Sequence, residues 1–203
     1  ATLVRATSIP VSADLENGFG DAPEVIAETI RLAAATGLVG GSIEDYSGDP
    51  SKGLYEIEHA TDRVRAAAEA ARKLDFPFTL TARAENFFRN KPDLADTIKR
   101  LQAYQEAGAD VLFAPALRSR EDIATILKEI DRPLSVLGGI GGIATLSTAD
   151  YQALGVRRVS VGSLLSTVAY GALISAGHEL KDQGTFGFTS ELARARELKT
   201  LLQ

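Results

Sequence analysis

Pro10-Val11-Ser12-Ala13-Asp14-Leu15-Glu16-Asn17-Gly18-Phe19-Gly20-Asp21 is the stretch on which the fold turns. A short apolar run ends in two carboxylates two positions apart, followed by paired glycines and a helix start. In a strand, residues i and i+2 share a face, so Asp14 and Glu16 are expected to project together from the strand's C-terminal end. Gly18 and Gly20 permit a tight turn. Asp21, with Pro23 and Glu24 after it, predicts a capped helix N-terminus. An EF-hand reading fails, because the fifth, sixth and twelfth positions counted from Asp14 are Gly18, Phe19 and Val25. A dinucleotide fingerprint fails as well, because Pro23 stands where a third small residue is needed. Strand, acidic tip, glycine turn and helix remain.

Working outward, the same alternation repeats. A helix is expected near 22–36, stopped by Gly37, and then a strand from Val39 to Asp45. Loop 46–55 leads to an alanine-rich helix near 56–74 and a strand from Thr79 to Glu85. Asp93 caps a helix to about 107, and Val111 to Pro115 is the fourth strand. Ser119 caps a helix to Ile130, and Leu134 to Leu137 is the fifth strand. Ser147 starts a short helix ending at Gly155, and Val159 to Val161 is the sixth strand. Helices near 164–183 and 189–202 complete the chain, while residues 1–8 read as a helix end and link.

Strands and helices alternating at this spacing imply a parallel sheet with right-handed crossovers. Polar groups recur at the C-terminal ends of several successive strands: Asp14 and Glu16, Glu44, then Arg83 and Glu85. An open doubly wound sheet concentrates its loops at one switch point. A barrel distributes them in this way. The expected fold is therefore α/β, a TIM-type (β/α)8 barrel lacking its first two strands in this chain. Residues 1–203 would form a single barrel domain, N-terminally incomplete. The sequence contains no methionine, even at position 1, which agrees with that expectation.

Composition narrows the function. The chain has 203 residues, is 45% hydrophobic, carries a net charge of −5 and has no basic run, so neither nucleic acid nor an anionic membrane surface is expected as a partner. No apolar span approaches the length of a transmembrane helix and no signal peptide is visible, so a cytoplasmic location is expected. Zero cysteine removes thiol chemistry, and two histidines, His59 and His178, make a histidine-rich zinc site improbable. Three neighbouring carboxylates, Asp14, Glu16 and Glu44, form an oxygen-rich cluster suited to Mg2+ or Mn2+. Pairing of Glu44 and Asp45 with Arg or Lys on adjacent loops is the alternative. Arg83 lies on the same strand face as Thr79, Thr81 and Glu85. Inside a barrel it needs a carboxylate or a charged ligand, and its planar fork suits a bidentate acid group. An internal ion pair with Glu85 is the competing reading. No strand interior contains lysine, which disfavours a Schiff-base aldolase. The loop from Gly138 to Ala144 reads as a flexible segment or a close backbone approach to an anion, which Gly162 and Ser163 could join.

These residues carry a resemblance. Residues 10–20, Gly-Ser-Ile-Glu-Asp at 41–45, Thr-Ala-Arg-Ala-Glu-Asn-Phe at 81–87, and the segments 106–115 and 154–163 together resemble the isocitrate lyase/phosphoenolpyruvate mutase superfamily. The resemblance implies a Mg2+-dependent enzyme that cuts or forms C–C or P–C bonds in small oxo-acids. Asp14, Glu16 and Glu44 would hold the metal, directly or through water. Arg83 would bind the substrate carboxylate. Arg83 and Glu85 would be the catalytic pair, with Asn86 and Ser42 as further substrate contacts. Loop 46–55, through Ser47, Asp49 and Lys52, would act as the gate. Members are often tetramers that exchange a C-terminal helix, so a homo-oligomer, dimer or tetramer, is expected. Three departures qualify this. Glu16 stands where the family usually has Asp. The gate lacks the lyases' cysteine and the mutases' asparagine. No histidine follows Phe113-Ala114-Pro115. The expected function is a Mg2+-dependent C–C lyase on a small oxo- or hydroxy-carboxylic acid, oxaloacetate-like or methylisocitrate-like. P–C chemistry of the phosphoenolpyruvate mutase type is the alternative, and a non-catalytic dicarboxylate-binding barrel comes third.

Overall fold

A computed structural model describes residues 1–191 of the chain. It divides into two compact units, Ala1–Ser160 and the segment from Val161 onward. In the first unit a one-turn helix, α1 (Thr2–Arg5), precedes β1 (Ser12–Asp14), α2 (Pro23–Ala35), β2 (Gly40–Glu44), α3 (Ile57–Arg72) and β3 (Thr79–Arg83). The series continues with α4 (Leu94–Glu106), β4 (Val111–Phe113), α5 (Arg120–Glu129), β5 (Leu134–Leu137), α6 (Thr148–Leu154) and β6 (Arg158–Ser160). All six strands are parallel, and their order in the sheet is their order in sequence. A strand-order reversal, the mark of an open doubly wound sheet, is absent among the described residues.

Register explains how a core and a site can share one sheet. Ile43, Ala82, Leu112 and Leu134 lie side by side across β2 to β5. All are buried, and they join Ile26, Ile30, Val64, Leu101, Ile123 and Ile126 from the covering helices in one apolar cluster. One position further on, Glu44, Arg83, Phe113, Ser135 and Arg158 form the neighbouring row, which alternation turns to the opposite face. The sheet curls towards that polar face. Arg158 on β6 donates from Nη1 to Thr81 Oγ1 on β3 at 3.1 Å, although two strands separate them in the sheet. The six strands form a curled half-barrel that is not closed.

Local chemistry sets the boundaries. Asp93, Ser119 and Ser147 cap α4, α5 and α6 as their sequence positions predict, and the last two complete reciprocal capping boxes with Asp122 and Asp150. Several expected boundaries are corrected. Asp21 does not cap α2; Ala22 occupies that position without a side-chain bond, and Pro23 opens the helix. β1 stops at Asp14, β3 stops at Arg83 rather than Glu85, and β6 spans Arg158–Ser160 rather than Val159 to Val161. The Gly138–Ala144 loop contains a 3-10 turn, Gly141–Ile143. Its close backbone approach is internal. A Cβ on Gly142 would lie 1.8 Å from the Arg118 carbonyl oxygen.

The second unit contains α7 (Leu164–Gln183), ended by Gly184 in the left-handed conformation, and a 3-10 turn, Gly187–Glu191. The helix expected over 189–202 lies outside the described residues beyond position 191. No helix among the described residues is long and apolar enough to cross a membrane.

Candidate active site

The tips of β1, β2 and β3 meet at one cavity of about 300 Å³, lined by Asp14, Glu16, Asn17, Glu44, Tyr46, Gly48, Arg83 and Arg89. Asp14 and Glu44 reach it by strand alternation. Glu16 does not. Its φ of 50° is left-handed, so it sits in the turn and not on the strand face expected for it. Its backbone oxygen still accepts from Glu44 N at 2.9 Å, which keeps the turn attached to β2.

Arg83 is the hub. Its side chain is only 11% exposed. Nη1 lies 3.2 Å from Asp14 Oδ2 and 3.7 Å from Glu44 Oε2, and Nε bonds Glu85 Oε1. Phe88 and Phe113 flank the guanidinium, at 5.4 and 5.2 Å from ring centroid to Cζ. The ion pair with Glu85 forms, and Arg83 also lines the cavity. Glu85 itself is fully buried. It touches Arg83 and Arg89, which makes it the group that orients them.

Arg89 was invisible to sequence patterning. It lies beyond β3 in a segment without periodicity, although the i,i+4 spacing from Glu85 could have signalled it. One helical turn brings it back, because Arg89 N donates to Glu85 O at 2.9 Å. Its Nη2 donates to Glu44 Oε1 at 3.2 Å, and Nε sits 2.8 Å from Glu85 Oε2 as an ion pair whose N–H is not aligned as a hydrogen bond. The guanidinium stacks on Tyr46, 3.7 Å from the ring centroid. Burial, followed by the charge of Glu85, pushes the Glu44 carboxyl up to about 7, while Arg83 and Arg89 pull it the other way.

The other predicted residues divide. Ser42 Oγ donates to Asp14 Oδ1 at 3.2 Å and so belongs to the cluster. Asn86 is buried, donates to Asp96, and lines a neighbouring cavity with Lys91 and Arg100, away from Asp14 and Glu44. Within loop 46–55, Ser47 and Asp49 bond to the loop itself. Lys52 Nζ reaches across to Asp21 Oδ2 at 3.0 Å, where Tyr55 also donates at 2.6 Å. Asp21 thus ties down loop 46–55 instead of capping α2, and these two donors keep its carboxyl below its usual value. Asn17 completes the tie by donating to Ser47 O at 2.9 Å. Behind it, buried Arg63 donates to the backbone oxygens of Gly20, Asp21 and Asn17 and stacks under Tyr55.

The donor set suits a hard divalent cation, since every acidic group at the cavity offers oxygen. Among the described residues, however, no three acidic groups lie close enough to hold one ion directly. Asp14 and Glu44 instead flank the Arg83 guanidinium. An ion placed here would take few of its ligands directly from these side chains.

The sequence matches the phosphoenolpyruvate phosphomutase family over residues 1–181. The chain belongs to the phosphoenolpyruvate mutase family. Within that family, a protein of unassigned function from Mycobacterium tuberculosis strain CDC 1551 is 30% identical, over 85% of this chain and 62% of its own length. An oxaloacetate decarboxylase from Pseudomonas paraeruginosa is 32% identical, over 86% of this chain and 59% of its own. The solved structure of a provisionally assigned lyase/mutase from Burkholderia cenocepacia J2315 superposes with a TM-score of 0.89 at 52% identity, covering 93% of this chain and 67% of that one. The chain thus spans about three fifths of the length of these curated relatives.

Proposed function

We propose that the protein is a divalent-metal-dependent lyase that cleaves a C–C bond of a small oxo- or hydroxy-carboxylic acid, oxaloacetate-like or methylisocitrate-like. One observation carries the reading: a guanidinium, Arg83, held between Asp14, Glu44 and Glu85 at the wall of an acid-lined cavity. A cavity with both signs of charge suits an anion carrying an electron-rich oxygen beside its acid group. Arg83 would bind the carboxylate through its fork. Glu85, buried behind it, fixes the fork's orientation. Phe88 and Phe113 reduce the water around the guanidinium and strengthen its hold. Asp14, Glu16 and Glu44 would hold Mg2+ or Mn2+, largely through water, and that ion would supply Lewis acidity for the oxygen on which charge develops. The oxaloacetate decarboxylase among the relatives supports the C–C reading, and the family's phosphomutase description supports P–C chemistry as the second. A cytoplasmic homo-oligomer remains part of the proposal.

The test is a turnover assay with Mg2+ on oxaloacetate, methylisocitrate-like acids and phosphonopyruvate, using the natural full-length protein. Cleavage of a C–C substrate is expected, with Asp14→Ala abolishing Mg2+ binding and Arg83→Lys costing about 10- to 100-fold in kcat/KM, since a point charge replaces a fork. Activity on phosphonopyruvate alone would transfer the reading to P–C chemistry. Binding of diacids without turnover of any would leave a binding barrel.

A further inference from the structure

Arg83 is not the only guanidinium at the cavity. Arg89 lines it too, and both arginines are anchored by the same two acids, Glu44 and Glu85. Their remaining nitrogens are the informative ones. Arg83 uses Nε and Nη1 on protein carboxylates, and Arg89 uses Nε and Nη2. Hydrogen bonds among the described residues leave Arg83 Nη2 and Arg89 Nη1 unused. An arginine needed only to neutralise Glu44 and Glu85 has no call to stack on Tyr46 and stand at the cavity wall with its side chain 33% exposed.

We propose that Arg83 and Arg89 form a two-point clamp, and that Arg89 is the specificity residue that selects a dianionic substrate by taking its second acid group. The proposal rests on the reading of the site as one for a small acid and adds a second, separate anchor. Two fixed forks, each pre-oriented by Glu85, would hold an extended diacid by both ends. A monoacid would satisfy only Arg83 and leave Arg89 with its protein partners. Tyr46 gives the second anchor a further consequence. It begins the gate and bridges to Leu54 at the other stem, so the residue that reads the second acid group also touches the loop meant to cover it.

Succinate and butyrate make the comparison, because they differ in one acid group and neither is an oxo-acid that the site could turn over. Calorimetric titration of the full-length protein with Mg2+ present should give succinate an affinity about tenfold or more above butyrate. Arg89→Gln should weaken succinate by about tenfold and leave butyrate within about twofold. Arg83→Gln should weaken both. If Arg89→Gln fails to fold, Arg89→Lys keeps a positive charge beside the two buried acids, and it should lose several-fold on succinate alone. Equal affinity of the wild type for the two acids, equal weakening of both by Arg89→Gln, or an Arg89→Lys variant indistinguishable from wild type on succinate would each overturn the clamp. Such a failure with C–C turnover intact would remove the role of Arg89 only. Loss of turnover on every acid, with Arg83→Gln affecting neither ligand, would instead remove the reading of the site.

Discussion

Asp45 follows Glu44 directly, yet alternation turns the two carboxylates to opposite sides of β2, and their surroundings diverge accordingly. Glu44 meets the cavity and two arginines that other ligands can also approach. Asp45 is buried away from it and accepts from Tyr104 Oη at 2.6 Å, from Arg100 Nη1 at 3.1 Å and from the Glu85 backbone N–H at 2.8 Å. Arg100 also bonds the Tyr55 carbonyl at 2.8 Å, so the same knot fastens the end of loop 46–55 and the start of the Glu85 segment. A buried pair contributes little beyond an apolar replacement, but losing one partner strands the other. Asp45→Ala should therefore destabilise the fold by about 3–5 kcal/mol in chemical denaturation. A loss below about 1 kcal/mol would mean that water replaces the carboxylate. The adjacency Glu-Asp was legible in sequence; which acid served the site and which the scaffold depended on Arg100 and Tyr104, brought in from α4.

Elements were legible where their signals are local. Both Ser-x-x-Asp boxes, at α5 and α6, formed as expected because the capping bonds need only four consecutive residues. Glu16 and Asp21 were misplaced for the opposite reason. The left-handed turn at Glu16 and Phe19 and the contacts of Asp21 with Lys52 and Tyr55 depend on α3, through Arg63, and on loop 46–55. Arg63 had a readable signal, since it lies on the same helical stripe as Ala60, Val64 and Ala67, which is the core face of α3. The α6 box also carries a pH prediction. Ser147 and then Arg120 hold the Asp150 carboxyl well below its usual value. A carboxyl depressed on folding stabilises the fold above its unfolded pKa of 3.8, and that contribution is lost as pH falls from there through the folded value. Stability measured by denaturant from pH 5 downward should fall more steeply in wild type than in Asp150→Asn. Parallel curves would show that the box contributes nothing through ionisation.

At the scale of the molecule, parallel strand order was legible because every crossover carries a helix, and the meeting of Asp14, Glu44 and Arg83 at one cavity was legible because they end successive strands. What strand spacing could not reveal was the long-range closure of Arg158 onto Thr81, which no local pattern encodes. Helix α7 poses the remaining problem of scale. Leu164, Leu165, Val168, Tyr170, Leu173 and Ile174 place apolar groups on every side of it, without the single stripe seen on α2 or α5. A helix resting on one body buries one stripe, whereas a helix apolar all round needs cover on more than one side. We propose a second copy of the chain as that cover, in keeping with the family resemblance drawn from the sequence. Light scattering on the full-length protein should report a dimer or larger species. Leu165→Glu with Leu173→Glu, residues about two turns apart, should shift it towards monomer with the helical circular dichroism retained. A wild-type monomer at micromolar concentration would exclude self-association, and an oligomer untouched by both charges would place its contact elsewhere than α7.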